Sequence, residues 1–244
     1  MKETLNFFEY IFDSIGKEDR NYTPNVNPTV IFNEGWMIRL LVYQSIKEKL
    51  IINDFINFGK IKNWSSEGLI SSPFIKVEKN KERHTHADMA LGDFSIDYKS
   101  SGEIHVSKSA TTFGIIEAKM GSNLSKGTTN APNYNQASRN LACIANNVVS
   151  KTCKTFFALV APNKKIKQYK FEVQTEKSLM IKQIKLRFER SDLHIDNDLI
   201  ERAKQCFIKV FSYEDWINML SKDSRPFIET FYFNCLKWNR IKQD

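Results

Sequence analysis

Apolar positions recur at helical spacing at the start of the chain, where Leu5, Phe7, Phe8, Ile11, Phe12 and Ile15 form one face and Gly16 stops the segment. Asn27-Pro28 then supplies an N-cap followed by proline at the first helical position. This predicts a long helix through Glu34, Trp36, Met37, Leu40, Leu41 and Ile46, with Glu34 on or near its buried stripe. A polar connector containing Trp64-Ser-Ser-Glu-Gly68 leads to a predicted strand, Pro73-Phe-Ile-Lys-Val77, and a turn at residues 79–83. Strand alternation continues over residues 84–91, 94–98 and 113–120. A polar loop (121–132), a helix (133–147) and a strand (155–161) follow, a crossover that sets the strands before and after the helix parallel. Lys164-Lys-Ile-Lys167 reads as a basic turn, and residues 174–191 fit a strand or a helix. Three helices are expected beyond residue 195: over 198–211, after the capping box Ser212-Tyr-Glu-Asp215, and from Pro226 through Trp238.

Alternating strand and helix signals make the fold class α/β. At 244 residues the chain is read as one domain: an N-terminal helix and loop (1–27), a core (28–162) and a mainly helical extension (163–244). Its 41% apolar and 26% charged residues exclude disordered and low-complexity classes. Cys143, Cys153, Cys206 and Cys235 form no C-x-x-C pair, and the first residues lack the basic, apolar, small-residue order of a signal peptide, so a reducing cytoplasm is the expected location. No apolar run approaches the roughly 18 residues of a membrane helix, so no membrane is expected as a partner. The net charge of +8 suits a polyanion, although a Lys-rich solvated surface accounts for it equally well.

Candidate chemistry centres on the apolar stretch Phe113-Gly-Ile-Ile-Glu-Ala-Lys-Met120. In a strand, Phe113, Ile115, Glu117 and Lys119 share one face while Ile116, Ala118 and Met120 share the other, so both faces are apolar and the strand belongs inside a sheet. A carboxylate and an ammonium there lose hydration that each other, a metal or a ligand must replace. Upstream, Asp88 interrupts the otherwise small and apolar stretch Thr85-His-Ala-Asp-Met-Ala-Leu91; its rival Asp93 follows Gly92 in a turn. Two carboxylates holding Mg²⁺ against a phosphate, with a lysine beside the attacking water, is a chemistry that uses these residue types.

Asp88, Glu117-Ala118-Lys119, and the loop and helix that follow resemble the PD-(D/E)XK nuclease superfamily over roughly residues 28–162. That resemblance implies a restriction-endonuclease-like αβββαβ core with a mixed sheet, here with a helical C-terminal extension. It implies a Mg²⁺-dependent deoxyribonuclease, with Mn²⁺ as a second candidate ion, DNA as partner, RNA still open, and room for a homodimer. Asp88, Glu117 and Glu34 would bind the metal, Lys119 would position or activate water, and Gln136 would support the site. Two positions depart from the superfamily's patterns. Ala87 stands where proline often precedes the first acid, and Asn140 stands where one subgroup carries a tyrosine, so only the wider superfamily is invoked.

Gln136 and Arg139, three residues apart, share a helix face from which Arg139 could meet phosphate. Lys126 in the loop and His86 beside Asp88 are the other expected substrate contacts, with a solvated surface as the plain rival. A second function class is a binding or assembly module of this fold without turnover. A third is a zinc-dependent hydrolase of small molecules built on His84 and His86, which would need further histidines where only His105 and His194 remain. Cys143 reads as a small core residue, and the aromatic residues from Trp216 to Trp238 read as a packing face.

Overall fold

The computed structural model describes residues 4, 6, 9–11, 26–75, 82, 85–100, 102–128 and 131–242. In chain order it contains α1 (Glu34–Lys47), β1 (Asn63–Ile70), β2 (Thr85–Gly92), β3 (Phe94–Asp97), β4 (Glu103–Val106) and β5 (Thr112–Ala118). A two-stranded hairpin, β6 (Gly127–Thr128) and β7 (Ala131–Pro132), precedes α2 (Gln136–Asn147) and β8 (Lys154–Ala161). The remainder is α3 (Asn163–Tyr169), α4 (Phe171–Gln174), α5 (Lys177–Arg190), α6 (Asn197–Gln205), β9 (Phe207–Ser212), α7 (Tyr213–Met219) and α8 (Arg225–Trp238).

Seven strands form one mixed sheet in the order β3-β4-β1-β2-β5-β8-β9. β2 runs antiparallel to both β1 and β5, whereas β5, β8 and β9 are parallel. Alternation along β5 and β8 divides the core. Phe113, Ile115, Phe157 and Leu159 pack under α2, α5 and α6; Ile116, Ala118, Phe156, Ala158 and Val160 pack under α1, α7 and α8. β5 is therefore covered on both faces, as its unbroken apolar run requires. The expected crossover from β5 through α2 to β8 is present, with Glu117 in register with Leu159.

Several elements differ from expectation. The helix expected from Asn27 is two pieces: Asn27 caps a 3-10 turn at Pro28–Val30, and α1 begins only after Asn33. Asn33 separates them by accepting from Trp36 N while donating to the carbonyls of Thr29 and Val30. The polar connector at Trp64–Gly68 is part of β1, whose polar residues face partly outward while the backbone pairs with β2. Pro73, Phe74 and Ile75 form a turn rather than a strand, pinned by Phe74 N donating to Ser72 Oγ; the rest of that predicted strand, and all of the turn at 79–83 except Glu82, lie outside the described residues. The basic run at Lys164 lies in α3, and residues 174–191 resolve as the end of α4 and α5. The helix expected over 198–211 stops at Gln205, and β9 follows, so the C-terminal extension also adds a strand to the sheet. Of the predicted first helix, Thr4, Asn6, Glu9, Tyr10 and Ile11 are helical and Ile11 is buried; Leu5, Phe7, Phe8, Phe12, Ile15 and Gly16 lie outside the described residues. Among the described residues no helix is long and apolar enough to cross a membrane.

The β2–β3 turn holds β5 in place. Gly92 adopts φ 134°, and Asp93 accepts from both Thr111 N and Thr111 Oγ1 at 2.8 Å, which settles Asp93 as a turn residue. A Cβ at Gly92 would lie 2.1 Å from Thr112 O. Gly92→Ala is therefore expected to destabilise the protein by at least about 2 kcal/mol in urea unfolding; a change below about 0.5 kcal/mol would contradict this account of the turn.

Candidate active site

β5 carries Glu117 into the interior, where it is 0% exposed. Three side chains supply the hydrogen bonds that water no longer can. Lys119 Nζ and Gln136 Nε2 each lie 2.6 Å from Glu117 Oε1, and Asn140 Nδ2 donates to Oε2 at 2.9 Å. Asp88 occupies the antiparallel neighbour β2, one ladder position beyond the Met89–Ile116 pair, and so sits across from Glu117. Its Oδ2 accepts from Ala118 N at 2.8 Å, which holds its carboxylate beside Glu117.

Local structure fixes these positions. Lys119 N donates to Val160 O, keeping the end of β5 against β8. Asn135 caps α2 by accepting from Ser138 N, and its own N–H and side-chain amide bind Gln183 Oε1 and Gln174 O. Gln136 N donates to Ser125 O, so the loop after β5 folds back and delivers the first turn of α2 to Glu117.

Burial pushes the Glu117 carboxyl up from 4.5 to about 8, and the neighbouring Asp88 carboxylate adds to the rise, while Lys119 opposes it. For Lys119, 9% exposed, burial disfavours the ammonium, but the carboxylates of Glu117, Asp88 and Glu34 outweigh it and hold the amine above its usual value. The arrangement is a buried carboxyl group with a raised pKa, a second carboxyl across the strand pair and one ammonium beside them. It can take up a cation in place of the proton, and it can orient a polar molecule at the amine.

Of the expected residues, Asp88, Glu117, Lys119 and Gln136 meet. Glu34 is the first residue of α1, half-buried, and close enough to act on the Lys119 charge. Arg139 does not join them: its guanidinium lies over the Tyr134 ring at 6.0 Å, with Nε and Nη2 buried and without partners. Lys126 and His86 are exposed, the latter near the start of β2. His84 lies outside the described residues, and His105 and His194 are exposed. Among the described residues no three His, Cys, Asp or Glu side chains are grouped so as to hold a metal, so Asp88 and Glu117 stand as a pair. Cys143 is a core residue, its thiol pushed by burial up to about 12. Asn140 is the contact that sequence reasoning missed; its spacing of four from Gln136 on a helix was the available signal. No protein-family model, curated protein or solved structure matches the chain.

A raised carboxyl pKa has a defined sign. The folded protein holds the Glu117 proton more tightly than the unfolded chain, so that contribution to stability is complete below pH 4.5 and is lost as the pH climbs through about 8. In metal-free buffer the urea midpoint is expected to fall across this window for the native protein. Glu117→Gln should flatten that slope; an identical slope in the variant would place the titration elsewhere.

Proposed function

We propose that the protein is a divalent-metal-dependent nuclease that hydrolyses DNA phosphodiester bonds at this site. The observation that supports the reading is the fully buried Glu117 carboxyl beside Asp88 with the Lys119 ammonium 2.6 Å away. Nothing in packing requires it: apolar residues of similar volume would fill the space at no desolvation cost. The chain's order of elements also favours a restriction-endonuclease-like core: α1, then β1, β2 and β5, then α2 and β8, with the β3–β4 hairpin inserted.

The residues fit a hard divalent ion. Their donors are carboxylate oxygens, and the raised Glu117 pKa marks crowded negative charge that a cation would balance. Asp88 and Glu117 would hold Mg²⁺ or Mn²⁺, with Glu34 as the further acid. A bound ion there supplies charge withdrawal from the phosphoryl oxygens and a lowered pKa for bound water. Lys119, held in place by Glu117, orients the attacking water and stabilises charge on the phosphoryl group. Gln136 and Asn140 keep the two oxygens of Glu117 aimed, and α2 closes the site against bulk water. The net charge of +8 is compatible with a polyanionic substrate.

Incubation with labelled DNA in Mg²⁺, Mn²⁺ or EDTA tests the proposal. Cleavage is expected with either ion and none with EDTA. Lys119→Ala should cut at least about 100-fold more slowly while binding DNA as before, and Asp88→Ala should also require more metal. Unaltered cleavage in both variants would sink the assignment. Binding without cleavage under every ion condition would favour a silent nucleic-acid-binding module.

A further inference from the structure

Tyr213, the first residue of α7, is 0% exposed, and its hydroxyl has no hydrogen-bond partner. Buried hydroxyls are normally paired, and leaving one unmade costs about 1–3 kcal/mol. The ring explains itself: it packs on Tyr232 with centroids 5.3 Å apart, in the apolar cluster that holds Trp216 and Cys235. Phenylalanine would do that work equally well. The oxygen is therefore a feature that the packing does not use.

Topology says where this oxygen sits. β5, β8 and β9 are parallel, with Ala118 in register with Val160 and Val160 with Phe211, so the chain leaves β9 into Tyr213 at the same sheet edge where β5 delivers Lys119. Crevices outside the carboxyl ends of parallel strands are where such sheets bind ligands. α8 then joins Tyr213 to α1. Tyr232 packs on Tyr213, and Cys235, three residues further along the same helix, donates through Sγ to Asn33 O at 3.8 Å. Asn33 is the cap that fixes Glu34 as the first residue of α1. Burial raises the Tyr213 phenol well above its usual pKa, and among its neighbours Glu34 adds most, with Asp88 also contributing. Among the described residues no hydrogen bond reaches the Glu34 carboxylate. An unpaired donor and an unpaired acceptor thus lie under one helix, at the edge of the site.

We propose that Tyr213 is a positioning residue of the active site: when Asp88 and Glu117 hold a cation, its hydroxyl, unpaired in the ion-free protein, donates a hydrogen bond to the Glu34 carboxylate and turns that side chain toward the ion. The proposal rests on the ion-binding reading of that pair. It makes the C-terminal extension a working part of the site, since Tyr213 comes from the strand-to-helix junction that follows β9.

Tyr213→Phe removes only the oxygen. Because that oxygen is unpaired, the metal-free variant should melt at or above the native temperature, a result that a structural hydrogen bond would not give. Calorimetric titration with Mg²⁺ or Ca²⁺ should show about tenfold weaker affinity, as for other residues that orient metal ligands. Glu34→Gln should weaken it similarly, and the double variant should bind no more weakly than Glu34→Gln alone. Native ion affinity in Tyr213→Phe, additive losses in the double variant, or a lowered melting temperature without metal would each overturn the role of Tyr213 while leaving the ion site standing. Absence of ion binding by the unaltered protein would instead remove the ion site, and this proposal with it.

Discussion

A carboxyl group with no access to water governs the centre of this structure. Glu117 lies on a strand buried from both sides, and its ionised form would be prohibitive there without compensation. Lys119, Gln136 and Asn140 supply that compensation from two elements. Their positions depend on the loop after β5 folding back to bind Gln136 N, on Asn135 capping α2, and on α2 lying across β5 and β8. Asp88, fixed by Ala118 N, adds a second carboxyl that, after burial, raises the Glu117 pKa. The cluster carries a desolvation cost, which under the proposed function a bound cation would offset.

The three layers converge on one sheet edge. Antiparallel pairing of β2 with β5 sets Asp88 beside Glu117, and parallel pairing of β5, β8 and β9 brings their carboxyl ends together. Side chains from α2 reach this edge on one face, and α1 and α7 approach it from the other. The part of the chain after residue 162 is thus continuous with the sheet rather than appended to it, because β9 extends it and α8 clamps α1 to α7.

Much of the centre was legible in the sequence because burial on both faces leaves a plain mark: an apolar run that contains a charge has few structural explanations. β5, α2 and β8 follow from that run and from the helix after it. β1 was not legible, since Trp64, Ser65 and Ser66 pair with β2 through their backbone, Glu67 at φ 57° drops out of the ladder, and all four side chains stay wholly or partly in solvent, so no apolar alternation records the strand. β9 was hidden because the apolar spacing of α6 runs on into Phe207 and Val210 without a break; only the change at Cys206 divides them. Arg139 and Asn140 show how fine the helical phase must be. They lie about 60° and 40° to either side of Gln136, and the side nearer Glu117 is that of Asn140. Glu34 was placed in the right helix but in mid-helix rather than at its first residue, because the stop imposed by Asn33 through its side-chain amide has no periodic signature.

The most direct measurement is a crystal of the protein soaked in Mn²⁺ and read by anomalous scattering. A peak between the carboxyl groups of Asp88 and Glu117, with the Lys119 amine beside it, is the predicted result. No peak at that position in crystals that bind Mn²⁺ elsewhere would contradict the claim that buried Glu117 and half-buried Asp88 together hold a cation.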